Sequence, residues 1–119
     1  MVPVYGAADD VSLAKYINEI QKFPILSAEQ EYEYASRWVQ NHDNTAAEKL
    51  VASHLRLVVS VAYDFKNYGL PISDLIARGN MGVMQALQKF DPERGFRFST
   101  YAMFWIKAEI YETILNNWS

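Results

Sequence analysis

Eight aromatic rings fall between Lys89 and Ser119, namely Phe90, Phe96, Phe98, Tyr101, Phe104, Trp105, Tyr111 and Trp118, with Lys89, Arg94, Arg97 and Lys107 among them. Flat π-faces beside cations suit one kind of chemistry, the stacking of unpaired bases along a phosphate backbone. Rings at helical spacing also serve as core, so spacing alone leaves both readings open. The rest of the last helix separates them. Met103, Ile106, Ile110 and Ile114, at steps of three, four and four, already form a sufficient core stripe. Phe104, Ala108, Tyr111 and Glu112 then lie on a different face, and an exposed apolar face marks an interaction site. Its partner is either a nucleic acid or, in the alternative reading, a peptide or helix gripped by a helical protein-binding adaptor with an aromatic groove.

Bond-making chemistry finds no equipment here. The chain has no cysteine, and its two histidines, His42 and His54, lack the clustered carboxylates that a metal would require. Ser99 has no histidine near it in sequence, and there is neither a glycine-rich phosphate cradle nor a paired acid–base signature. His54, beside Leu55 in a helical stretch, reads as a structural histidine. No catalytic residue, metal site or cofactor is expected, and the protein reads as a binding module rather than an enzyme.

A chain of 119 residues that is 50% hydrophobic supports one domain with its own core, over 1–119. The MVPVYGAADD start has no basic region followed by an apolar run, and no stretch is long enough to span a bilayer, which predicts a cytoplasmic protein with no membrane partner. The net charge is −3, but it is unevenly shared. Residues 1–52 hold eight acids and four bases, and the remainder holds six acids and seven bases, four of them beside the aromatics. Contact with nucleic acid is therefore expected to be local.

Helices must position these rings. Val11, Ala14, Ile17 and Ile20 give a first amphipathic helix over about 9–22, ended by Phe23-Pro24. Ser27 and Gln30 form a capping box for a second, running to about Gln40, whose outer face carries Glu29, Glu31, Glu33 and Arg37 as a solvated charge run. Thr45 with Glu48 caps a long third helix over about 46–66, stopped at Gly69 and Pro71. Ser73 caps a fourth, in which Gly79 and Gly82 predict close approach of another helix or backbone, since each otherwise costs about 1 kcal/mol relative to alanine. Asp91 to Gly95 breaks the chain, and Ser99 or Thr100 caps the fifth. The expected fold is all-α, a compact bundle of about five helices.

Taken together, SHLRLV, DLIARGNMGVM and FSTYAMFWI make the stretch from Ser53 to Ser119 resemble the central domain of bacterial sigma-70 family RNA polymerase sigma factors. ILSAEQEYEYASRWV is similar to the preceding region 1.2, so the likeness spans regions 1.2 to 2.4, with about 9–45 region 1.2-like and about 46–119 region 2-like. WIKAEIYETILNNWS looks most like the heat-shock (sigma-32) subclass. The resemblance implies a transcription initiation factor that binds core RNA polymerase and melts the promoter minus-ten element by capturing bases of the single-stranded non-template strand. It implies docking on the coiled coil of the largest catalytic polymerase subunit through Asp74, Leu75, Ile76, Asn80, Met84 and Gln85. It implies capture of a flipped adenine by the segment holding Phe90, Arg94, Phe96, Tyr101, Phe104 and Trp105, with Arg97, Lys107, Ala108 and Tyr111 beside them. A second pocket, for the last thymine of the element, maps to His54, Leu57 and Ser99. Anti-sigma factors or chaperones are implied regulators.

The chain also departs from that pattern. Ala77-Arg78 stands where the family commonly has Gln-Glu, which removes a polar contact and reverses a charge at the polymerase interface. Phe104 stands where many members have tryptophan. Ala108 and Glu112 replace a base-reading glutamine and a cation of the primary factors, which points to an alternative promoter class.

Overall fold

A computed structural model describes residues 10–118, which form six α-helices and no strand among the described residues. These are α1 (Asp10–Ile20), α2 (Ala28–Asn41), α3 (Asn44–Ala52), α4 (Leu55–Asp64), α5 (Ile72–Lys89) and α6 (Phe98–Trp118), with a 3-10 turn at Pro92–Arg94. The all-α expectation holds. The expectations for the MVPVYGAADD start and for the Val11 side chain lie outside the described residues.

The expected long third helix is two helices, broken at Ser53-His54. The apolar stripe runs through the break, which is why periodicity did not reveal it. At the break the Ser53 hydroxyl donates to the Leu50 carbonyl at 2.8 Å, and the His54 N–H turns to the Val51 carbonyl at 3.0 Å. Such local bonds offer the backbone an alternative to the helical ladder. The core forms around Leu50, Leu55, Val58, Leu75, Ile76, Val83, Phe98, Ile106 and Ile110, all fully buried.

Helix ends follow side-chain bonding that the sequence identifies only in part. The Ser27 capping box is present, with Gln30 N–H donating to Ser27 Oγ at 3.1 Å and Ser27 N–H donating to Gln30 Oε1 at 3.0 Å. For α3 the cap is Asp43 rather than Thr45, because Asp43 Oδ1 accepts from both the Thr45 and Ala46 amides. Helix α5 starts at Ile72 after Pro71, with no side-chain cap, so Ser73 lies inside the first turn. Between α5 and α6, Asp91 accepts from the Glu93 amide, and Gly95 takes a left-handed φ of 82° that a side chain would strain.

The α5–α6 seam positions the aromatic segment. A Cβ on Gly82 would meet the Trp105 carbonyl oxygen at 2.6 Å and the Ile106 Cα at 2.8 Å, so the two backbones touch with no side chain between them. A Cβ on Gly79 would meet Val58 Cγ1 at 2.7 Å. The close approach expected of these glycines is present at both.

Candidate nucleic-acid interface

Helix α6 presents two chemically different faces. Ala102, Ile106, Ile110 and Ile114 are buried and Met103 is half-buried, whereas Phe104, Lys107, Ala108, Tyr111 and Glu112 are exposed. Phe104 is 72% exposed and Tyr111 49% exposed, the unburied rings that the core stripe left over. On the approach to the helix, Phe96 is 60% exposed.

Behind these rings runs a chain of aromatic contacts. His54 meets Phe98 edge-on at 4.9 Å, Phe98 meets Phe90 at 5.1 Å, Phe90 meets Tyr101 at 5.5 Å, and Tyr101 meets Trp105 at 6.3 Å between centroids. Lys89 Nζ lies 6.0 Å from the centre of the Trp105 ring, within reach of a cation–π attraction. Phe90 and Phe98 are buried while Tyr101 and Trp105 are half-buried, so this row grades from core to surface. At its outer end Lys89, Phe90, Asp91, Arg94, Phe96 and Tyr101 line an open concavity of about 290 Å³. Rings, a lysine and an arginine around such a hollow can stack a planar base and hold its phosphate.

Glu31 supports this segment, and its placement corrects the solvated charge run expected of α2. It is 3% exposed, whereas Glu29 and Glu33 are exposed as expected. Its Oε2 accepts from the Phe98 amide at 2.8 Å and from Arg97 Nε at 2.9 Å. Its Oε1 lies 3.6 Å from His54 Nε2. Burial pushes its carboxyl up, but the His54 ring beside it, hydrogen bonds from Arg97 and the Phe98 amide, and the Arg97 charge outweigh that and hold it at about 2. This carboxylate caps α6 from another helix, which is why α6 begins at Phe98 rather than after a Ser99 or Thr100 cap. Sequence reasoning missed it, though a signal existed: Glu31, Ala35 and Trp38, at steps of four and three, share the face of α2 that turns inward. Tyr32, exposed beside it, donates to Glu93 Oε1 at 2.6 Å and ties α2 to the 3-10 turn.

The other candidate residues fall into three settings. Arg94 is exposed, and the Arg97 guanidinium is committed to Glu31 while half its side chain stays exposed. His54 is buried, with Nδ1 2.8 Å from the Leu50 carbonyl, and Leu57 and Ser99 are half-buried. On α5, Asp74 and Met84 are exposed and Gln85 is half-buried, but Leu75, Ile76 and Asn80 are inside the fold. Asn80 Nδ2 donates to Tyr16 Oη at 3.1 Å, a bond to α1 that satisfies the buried nitrogen, whereas Asn80 Oδ1 is buried without a partner. Among the described residues no group of histidines and acids could hold a metal ion, and no helix is long and apolar enough to cross a membrane.

Residues 50–119, which carry the aromatic chain and the α5–α6 seam, match the family model for Sigma-70 region 2. The chain belongs to the sigma-70 family. Residues 12–41, which hold Glu31 and Tyr32, match Sigma-70 factor, region 1.2. The chain is 54% identical over its full length to the RNA polymerase sigma factor RpoH of Zymomonas mobilis, covering 39% of that protein. It is 53% identical to the RpoH of Caulobacter vibrioides over 92% of the chain and 37% of that protein, and 47% identical to the RNA polymerase sigma-C factor of Myxococcus xanthus over 91% and 36%. The chain thus spans under two-fifths of the length of these curated relatives. Membership of the sigma-70 family disfavours the adaptor reading.

Proposed function

We propose that this chain is the promoter-opening module of a heat-shock-class sigma factor, which docks on core RNA polymerase through the outer face of α5 and captures single-stranded non-template bases of the minus-ten element with the segment from Phe90 to Tyr111. The observation that carries the reading is the exposure of Phe96 at a hollow lined by Lys89, Arg94 and Tyr101, with the rings of Phe104 and Tyr111 exposed further along α6. Unstacking a base costs a few kcal/mol, and stacking on a protein ring returns about 1 to 3 kcal/mol. Capture therefore balances melting without any covalent step, and no catalytic group is required. The module acts in the cytoplasm, where anti-sigma factors or chaperones regulate it.

The test is binding of the chain, assembled with core RNA polymerase, to single-stranded and duplex minus-ten oligonucleotides at two salt concentrations. Tighter binding of the single strand, weakening as salt rises through loss of counterion release, supports the reading. Equal affinity for both forms, or binding indifferent to salt, overturns it.

A further inference from the structure

Arg78 lies on the edge of α5 that borders α6, with Nη2 3.1 Å from Glu109 Oε1. The Glu109 side chain is 12% exposed and that of Arg78 35%, so the acid faces the fold while the cation reaches the surface. Next to it, Asp74, Ala77, Met81, Met84 and Gln88, at steps of three and four, form the outward face of α5. With Arg78 committed to Glu109, the free charge on that face is the carboxylate of Asp74. The partner that complements it is apolar opposite the methionines and cationic opposite Asp74.

We propose that Glu109, a residue of the promoter helix, determines docking specificity on α5 by cancelling the Arg78 charge within the fold. An uncompensated arginine there sets like charge against a cationic partner surface, the repulsive device by which interfaces reject partners. The arginine that reverses a charge in the sequence is thus presented as part of a neutral pair. This rests on the reading that α5 docks on core RNA polymerase.

The experiment measures the Kd of the chain for core RNA polymerase in wild type, Glu109→Gln, Arg78→Gln and the double variant. Glutamine keeps the size of Glu109, so α6 packing is retained, and thermal unfolding of each variant verifies it. Glu109→Gln weakens binding about tenfold at low salt, the defect shrinks as salt rises, and adding Arg78→Gln restores affinity to within about twofold of wild type. A purely structural pair shows the loss and its rescue in thermal unfolding instead, and leaves the Kd of the folded variants at the wild-type value, which overturns the inference. Wild-type affinity in Glu109→Gln, or no rescue in the double variant, overturns the inference while leaving the docking reading standing. Failure of the wild-type chain to bind core polymerase overturns both.

Discussion

Glu31→Gln removes one buried charge from beside the Phe98 amide at the start of α6 and keeps the shape of the side chain. The carboxyl sits at about 2 in the fold against a usual 4.5. Its folded value is depressed, so the stability it contributes is present above pH 4.5 and is lost as pH falls through 2. The difference corresponds to about 3 kcal/mol at neutral pH, since each pKa unit is worth about 1.4 kcal/mol. Glutamine can still accept from the Phe98 amide, so part of that cap survives, and about 2 to 3 kcal/mol is the expected loss at pH 7. Urea unfolding followed by circular dichroism reads this as a midpoint lowered by about 1 to 1.5 M at a slope near 2 kcal/mol/M. Repeating the titration between pH 6 and pH 2 supplies the discriminating measurement. The gap between wild type and variant must shrink across most of that window, because below pH 4.5 unfolding lets the Glu31 carboxylate take up a proton that the fold resists until about pH 2. A gap of constant size refutes the argument, and would mean that Glu31 contributes by packing rather than by charge.

Gly82→Ala is expected to destabilise by about 1 to 3 kcal/mol, because its Cβ would strike main-chain atoms that cannot rotate aside; thermal melting tests this. Phe104→Ala should leave stability within about 0.5 kcal/mol, as substitutions at exposed sites do, yet slow promoter opening, read as lower permanganate reactivity of promoter thymines at matched occupancy. Asn80→Ala should cost about 1 to 3 kcal/mol of stability by leaving the Tyr16 hydroxyl without this donor. Met84→Ala, on the exposed face of the same helix, should weaken pull-down with core polymerase while the melting temperature stays unchanged.

The parts of this fold legible in the sequence are those governed by neighbours within a turn. Ser27 and Gln30 cap α2 because both bonds close over three residues, and the stripe from Ile106 to Ile114 faces inward because 3.6-residue periodicity requires it. Gly82 was readable for a different reason: a glycine inside a helix is unfavourable unless something needs its space. Glu31 was not readable as buried, because its partners Arg97 and Phe98 lie 66 and 67 residues away. In one dimension it is one more acid in a charged segment. The break at Ser53-His54 was hidden because apolar periodicity reports which side is buried and is silent on whether the backbone ladder is continuous. For the candidate interface, the sequence separated the exposed rings Phe104 and Tyr111 from the core stripe. It gave no means of telling that Asn80, beside exposed Met81, points the other way towards α1.

The seam at Gly82 fixes the spacing of α5 and α6 without a side chain between them. Most helix pairs are spaced by interdigitated side chains, so a change of residue size at the contact alters their distance and angle. Here the spacing at the crossing is set by main chain against main chain, and no substitution on the outward side of α6 enters it. Ala108 and Glu112 can therefore be exchanged for other side chains without moving Phe104 or Trp105 relative to α5. On the proposed reading, a lineage carrying this seam can revise its preferred bases one residue at a time while the spacing of α5 and α6 keeps its dimensions.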